Sequence, residues 1–302
     1  MVTSITYDSG SESLKSKRVG APLSARDLAC LYPALLVAPA ALLLILWFVV
    51  PLARLSSLAF AGEEGALASF STLFGSAAYR QVFLNTFQIS FVVTVVTVVL
   101  AFPVALLLSR LRGIWFVLAL YGVLFPFWVS LLVRTYSWIL LLPKNGPINQ
   151  ALMATGLIEA PVQLLFNDTA VVIGMTHVLL PYAILPLFAR MRGIDGRLLQ
   201  ASDGLGASLF DTFRYVYLPL LMPGLLGAGL VVFLLALGFF VTPALLGGAG
   251  ALTVSTLIAG FVTDRLAWSL AAAGAIILLA AVLLLLVLFR RLLPLGRSGW
   301  AA

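Results

Sequence analysis

The chain has 302 residues, of which 62% are hydrophobic and 10% are charged. A mean hydropathy of +1.13 excludes a water-soluble globular fold, because the long apolar segments lack the polar faces that such a fold needs. The formal net charge of +7 raises the question of nucleic-acid binding. However, the basic residues lie at the ends of apolar segments, where membrane topology and contact with anionic lipid account for them. Nucleic acid is therefore excluded as a partner.

Six long uncharged segments dominate the sequence. They are residues 28–53, 81–109, 113–133, 169–189, 215–263 and 266–289. Each is long enough to cross a hydrocarbon core about 30 Å thick as a helix, which takes roughly 20 apolar residues. The sequence therefore predicts an all-α polytopic membrane protein with six transmembrane helices.

The fifth segment has 49 residues, more than one membrane-spanning helix needs, and Gly247, Gly248 and Gly250 interrupt it. We predict a spanning helix to about Thr242, followed by a loop or re-entrant piece that is buried in protein or lined by water. A seventh span between residues 243 and 261 is the alternative.

The basic residues predict the orientation of the chain in the membrane. Thirteen of the 18 Lys and Arg residues lie in residues 1–27, in the link around Arg110 and Arg112, in the loop 190–217 and after Phe289. The positive-inside rule places these segments and both termini in the cytoplasm. We predict a disordered cytoplasmic tail over residues 1–27, a membrane domain over 28–290 and a second cytoplasmic tail over 291–302.

Several motifs are missing from the sequence. It has no phosphate-binding G-x-x-x-x-G-K-[ST] loop, no cluster with metal-ligand spacing, since His177 is the one histidine, and no convergent nucleophile and base. No carboxylate falls inside the six segments, although carriers driven by protons or sodium usually keep one there. We therefore expect neither an enzyme nor a metal or cofactor site, and the energy for any transport should come from outside the chain.

The loop 190–217 predicts two helices joined by a tight turn. Asp195 is well placed to begin a short helix, and Gly204 and Gly206 are expected to end it. Ser208 followed by Asp211 matches the start signal of a second helix. The prediction is an elbow with Gly206 at the bend, where the two helices come close.

The first helix of this elbow has an apolar face formed by Leu198, Ala201 and Leu205 at three- and four-residue spacing. Such a face fits a groove on a partner protein. It is equally typical of a loop helix that packs on its own bundle, and the residues alone favour that second interpretation.

A run of motifs in this region resembles a known family. They are Gln200-Ala-Ser-Asp-Gly-Leu-Gly-Ala-Ser, Phe213, Leu218-Pro219-Leu220 and Pro223-Gly224, preceded by Pro126-Phe-Trp-Val-Ser, Arg134-Thr-Tyr-Ser-Trp-Ile, Gly146-Pro-Ile-Asn and His177-Val-Leu-Leu-Pro, and followed by Ala236-Leu-Gly-Phe-Phe-Val-Thr-Pro-Ala-Leu-Leu-Gly-Gly. Together they resemble the permease subunits of binding-protein-dependent ABC importers, and most of all the spermidine/putrescine type. The similarity runs in order from about Val82 to Phe289.

The resemblance implies a MetI-like bundle of the type I importer class in the bacterial inner membrane. Partners would be a second homologous permease, two cytoplasmic ATPases that carry ATP and Mg²⁺, and an external binding protein. The elbow would then be a coupling helix that enters a cleft on an ATPase, through Leu199, Gln200, Ala201, Asp203, Gly206 and Ala207. Gln200 stands where the family usually has Glu, and Ser202 replaces an Ala.

The resemblance also implies a route for a polyamine. Its expected lining residues are Trp128, Arg134, Tyr136, Trp138, His177, Phe239 and Thr242. Aromatic faces suit a cationic solute, whereas Arg134 and the lack of carboxylates in the six segments count against one. Arg134 is also well placed to anchor a span end, and we expect His177 to form an interhelical hydrogen bond.

Two alternatives remain open at the level of sequence. The same architecture would serve an importer of another small organic solute, anionic or zwitterionic. A self-sufficient secondary carrier or channel is the alternative from a different class.

Overall fold

The computed structural model describes residues 25–61, 67–248 and 250–292. Its regular elements over these residues are all helical, which confirms the predicted all-α fold. Most of the two predicted tails lies outside the described residues. The chain divides into two compact units, Met1–Arg54 and Leu55–Ala302.

The helices are numbered in chain order. They are α1 Ala25–Phe60, α2 Ala68–Gly75, α3 Ala77–Arg110, α4 Gly113–Leu124, α5 Leu131–Leu141, α6 Pro147–Ala154, α7 Asp168–Arg192, α8 Gly196–Gly204, α9 Leu209–Asp211, α10 Leu218–Leu237, α11 Val241–Leu246, α12 Val254–Thr263 and α13 Trp268–Leu292. A 3₁₀ turn, Phe125–Trp128, follows α4, and a π-helical turn, Thr212–Tyr217, leads into α10.

Five helical segments of the described chain are long and apolar enough to cross a membrane. They are Leu36–Phe60, Ala77–Arg110, Asp168–Arg192, Leu209–Leu237 and Trp268–Arg291. A sixth span is formed by Gly113–Trp128 and Leu131–Leu141 if this pair, which is bent by 94°, is counted as one. The ten-residue α12 is too short to be the alternative seventh span.

The predicted third span, a continuous helix over 113–133, is wrong. Pro126 has no N–H to donate to the carbonyl one turn back, and the chain is extended at Val129 (φ −85°, ψ 129°). The helix therefore breaks, and residues 131–141 leave at a steep angle as α5. Arg134, Tyr136 and Trp138, which lie outside the six predicted spans, are on this helix.

The predicted end of the fifth span near Thr242 is also wrong. Helix α10 ends at Leu237, with Gly238 as its C-cap, and α11 begins at Val241. Thr242 therefore lies on a separate short helix. The third span is therefore broken, the fifth span ends at Leu237, and α5 and α11 both pack on α7.

The main core is formed by α3, α7 and α10. Its fully buried side chains are largely small or β-branched, and they include Val93, Ala101, Val171, Ala183, Ala228 and Val232. Small residues let helix backbones approach closely, which is how helices associate in lipid. A second cluster joins α2, α12 and α13 around Leu73 and Phe261. We call the end of the bundle that carries α8 the elbow end, and the other end the far end.

Candidate functional sites: the α8 elbow and the junction of α5, α7 and α11

The two helix starts predicted for the elbow are confirmed. The Asp195 side chain caps α8 by accepting a hydrogen bond from the Arg197 N–H at 2.9 Å. The Ser208 hydroxyl accepts from the Asp211 N–H at 3.2 Å and donates to the Asp211 carboxylate at 2.6 Å. Each side chain satisfies backbone donors that a helix start leaves without an intrahelical partner.

Gly206 ends α8, but not for the reason that the sequence suggested. A Cβ at this position would meet nothing within 4 Å, so the predicted close approach of two helices is absent. Its φ of +79° is what requires glycine. In this conformation the N–H of Gly206 donates to the Asp203 carbonyl, and that of Ala207 donates to the Ser202 carbonyl, which closes the C-terminus of α8.

One side of α8 packs on the bundle. Ser202 is buried, and its hydroxyl oxygen lies 2.9 Å from that of Thr212 in the π-helical turn. Leu199 and Asp203 line a cavity of about 220 Å³ together with Arg110 and Phe213. Two of the six predicted coupling residues therefore face the bundle.

The other side of α8 is open in this chain. The predicted apolar face of Leu198, Ala201 and Leu205 is exposed, and Leu205 is 89% exposed. Gln200 and Gly206 are exposed as well, and Ala207 is half-buried. The interpretation that this face packs on its own bundle is therefore wrong.

A side chain in the last turn of α7 links this helix to α10. The Arg190 guanidinium donates two hydrogen bonds to the Leu220 carbonyl, at 3.2 and 3.1 Å. Its aliphatic stem lies over Gly224, where a Cβ would come within 2.7 Å of Arg190 Cγ. Helix α7, which enters the elbow, is thus joined directly to α10, which leaves it.

A second candidate site is the junction of α5, α7 and α11. The Trp138 Nε1–H donates to His177 Nδ1 at 3.2 Å, which confirms the expected interhelical hydrogen bond of His177. The hydroxyl oxygens of Thr135 and Thr242 lie 3.4 Å apart, and both residues are buried. These contacts fix α5 against α7 and α11.

Gly174 is the point at which α11 packs onto α7. A Cβ there would lie 2.6 Å from Leu246 Cδ1 and 2.7 Å from Thr242 Cγ2. Two methyl groups of α11 thus occupy the space that any other residue would fill. The sequence analysis missed Thr135, Gly174 and Leu246, although a glycine inside a helical pattern is a recognised sign of close packing.

The structure brings together three of the seven residues predicted to line a route: Trp138, His177 and Thr242. Arg134 is a half-buried residue of α5, and its Nε has no hydrogen-bond partner within the described part of the chain. Trp128 and Tyr136 are exposed, and Phe239 packs against the main core.

The segment between α11 and α12 is tied to α3. The Thr86 hydroxyl accepts from the Val254 N–H at 2.8 Å and donates to the Val82 carbonyl at 2.7 Å. The Asn85 amide donates to the Leu252 carbonyl at 3.1 Å. The segment between α11 and α12 is therefore held at the far end of the bundle.

Comparison with known proteins gives the class of the chain. No protein-family model matches it. Among solved structures, it is similar to a chain of a bacterial alginate ABC transporter in complex with an alginate pentasaccharide-bound periplasmic protein, with a TM-score of 0.69, 19% identity and coverage of 88% of this chain and 94% of that one. The inward-facing MetNI methionine ABC transporter gives a TM-score of 0.52 at 18% identity, over 72% of this chain and 97% of that one. The fold is thus that of an ABC transporter permease.

Curated relatives give the family. The spermidine/putrescine transport system permease protein PotB of Haemophilus influenzae is 35% identical over 208 residues, which cover 69% of this chain and 72% of PotB. PotB of Escherichia coli K12 is 33% identical over 66% of this chain and 72% of its own length. The inner membrane ABC transporter permease protein YdcU of Escherichia coli K12 is 34% identical over 62% of this chain and 63% of its own length. The chain belongs to the family of ABC importer permeases that includes PotB, and it is a multi-pass inner-membrane transport subunit rather than an enzyme.

Proposed function

We propose that the chain is the permease subunit of an ATP-driven importer of polyamines, with a second homologous permease, two cytoplasmic ATPases and an external binding protein as its partners. The relatives that are named for spermidine and putrescine transport support this cargo. ATP and Mg²⁺ bind to the ATPases, and this chain supplies the route through the membrane. The charge distribution supports an orientation with both termini and the elbow end in the cytoplasm.

The observation that carries this proposal is the exposed apolar face of the elbow. Leu198 on α8, Leu205 at its C-cap, and Leu209 and Phe210 on α9 are all exposed. Exposed apolar side chains on a short helical segment are suited to a groove on a partner protein. The partner in this proposal is the ATPase. ATP-driven closure of two ATPases would move the elbow and switch the bundle between two states.

The test is to replace one leucine of this surface in the co-expressed transporter. Leu205→Asp places a charge in the proposed contact, and we expect the ATPase to dissociate from the membrane complex and ATP-driven putrescine uptake to fall at least tenfold, which corresponds to about 1.4 kcal/mol. Leu157→Asp is the matched control, because Leu157 is also a highly exposed leucine but lies in the loop between α6 and α7.

Two results would contradict the proposal. One is that the wild-type chain never co-purifies with its ATPase. The other is that Leu205→Asp leaves both association and uptake at the level of Leu157→Asp.

One observation favours a second cargo class. Arg134 presents a buried Nε donor without a partner in the described chain, and such a donor suits an anionic group. The putative 2-aminoethylphosphonate permease PhnU of Salmonella typhi is 26% identical over 71% of this chain. Calorimetry of the cognate binding protein separates the two classes. Tight binding of a phosphonate and none of putrescine or spermidine would replace the polyamine with a zwitterionic cargo.

A further inference from the structure

A cleft of about 300 Å³ opens between α3 and α7 at the far end of the bundle. Its polar lining consists of the Asp168 carboxylate, the amides of Asn85 and Gln88, and the Thr169 hydroxyl. The rest of the lining is aliphatic and includes Ile89 and Val172. The cleft thus combines hydrogen-bond acceptors with an apolar wall.

The Asp168 carboxylate is free to meet a ligand. Asn167, not Asp168, caps α7, because the Asn167 side chain accepts the hydrogen bond from the Ala170 N–H at 3.0 Å. Within the part of the chain that the structure describes, Asp168 has no hydrogen bond or ion pair. The cleft therefore presents a carboxylate side chain that no other described residue engages.

No basic residue lines the cleft within the described chain, and two arginines at or near helix ends bind other groups. Arg80 donates to the carbonyls of Phe74 and Gly75, and Arg265 donates to the Tyr79 hydroxyl. Neither forms an ion pair with Asp168. A cation that enters the cleft therefore does not compete with an internal partner.

The hydrogen-bonding state of Asn85 adds an oriented acceptor. Its Nδ2 donates to the Leu252 carbonyl at 3.1 Å, and its side-chain oxygen, which accepts no hydrogen bond within the described chain, is available to a ligand. The Gln88 amide is exposed and its oxygen can also accept. An ammonium group has donors only, so a carboxylate, amide oxygens and a hydroxyl together match its chemistry.

We propose that this cleft binds one protonated amino group of a linear aliphatic amine, with the adjoining methylene groups against Ile89 and Val172. The inference rests on the proposed function, because it assigns the amine to the cargo of the importer. It also supplies the carboxylate that the six apolar segments lack, since Asp168 lies one residue before the fourth predicted segment.

The test measures putrescine uptake by the complete transporter in proteoliposomes with its ATPases and binding protein. Because the ion pair is solvent-exposed, we expect Asp168→Asn to raise KM about two- to fivefold at low salt, and less at high salt. Asp168→Lys should raise KM further, and Asp168→Glu should restore it. Glu159→Gln is the matched control, because Glu159 is an exposed carboxylate of the loop before α7 that does not line the cleft.

A second variant tests the cleft without changing its charge. Val172→Phe should fill the apolar wall and raise KM for putrescine while leaving the ATPase activity of the complex in place. Unchanged KM in both Asp168→Asn and Val172→Phe would overturn the cleft assignment and leave the polyamine importer standing. Absence of putrescine uptake by the wild-type complex would overturn the proposed cargo, and the cleft assignment with it.

Discussion

Gly174 shows how a single missing side chain sets the position of a helix. Replacing it with valine puts a branched side chain where Leu246 and Thr242 now lie within 2.7 Å of the Cβ position. Such overpacking typically costs about 1–3 kcal/mol. We expect Gly174→Val to lower the thermal unfolding midpoint of the detergent-purified protein and to reduce uptake by the complex, because α11 must move away from α7.

The control for this prediction is Gly122→Val in α4. A Cβ at Gly122 meets nothing within 4 Å, so the same change in the same type of element tests helix propensity alone. If Gly174→Val unfolds at the same temperature as Gly122→Val, the contact between α7 and α11 does not constrain the fold.

For single residues, local features were predictable from the sequence, whereas contacts between distant residues were not. The caps at Asp195 and Ser208 were predictable, because a cap and its helix are neighbours in sequence. Ser202 was recognised as a departure from the family pattern, but its hydroxyl contact with Thr212 depends on how the elbow folds back. The pairing of Thr135 with Thr242 joins residues 107 positions apart, and no local sequence pattern predicts it.

At the scale of the element, the position at which α8 ends depends on the backbone conformation of Gly206. A residue with a Cβ at the φ of Gly206 costs roughly 1–2 kcal/mol. We expect Gly206→Ala to loosen the turn between α8 and α9, which trypsin would detect as faster cleavage at Arg197 and Arg214. Uptake by the complex should fall in parallel, and Gly206→Asn should be milder, since Asn tolerates this conformation better than Ala.

Gly204 offers a matched comparison two residues away. It is the last residue of α8, and a Cβ there also meets nothing within 4 Å. Gly204→Ala should therefore stabilise α8 by up to about 1 kcal/mol and slow cleavage. The same sign of effect for Gly204→Ala and Gly206→Ala would show that φ is not what makes Gly206 necessary.

The long spans were predictable from their length and apolar character, but the positions at which the helices end or bend were not. Pro126 was visible in the sequence, yet a proline inside an apolar segment is compatible with a mild kink as well as with a 94° bend. The direction of α5 is set by its contacts with α7 and α11, which are tertiary. The end of α10 at Leu237 was not predictable from the sequence either, because Gly238 and the two phenylalanines that follow it are also acceptable in a continuous helix.

At the scale of the whole molecule, the chain is expected to be a passive route that needs an external source of energy. Reconstituted alone in liposomes, it should not accumulate putrescine against a gradient under an imposed proton or sodium gradient. Addition of the second permease, the ATPases, the binding protein and ATP should start uptake. Uphill transport by the chain alone, at any gradient, would make it a secondary carrier and would refute the proposed function.

The hydrogen bonds of Arg190 have a mechanical consequence for such a molecule. Arg190 fastens the last turn of α7 to the first turns of α10 through its two hydrogen bonds to the Leu220 carbonyl. We expect a displacement applied to α8 to reach both helices together, because the stem of Arg190 also packs over Gly224 of α10.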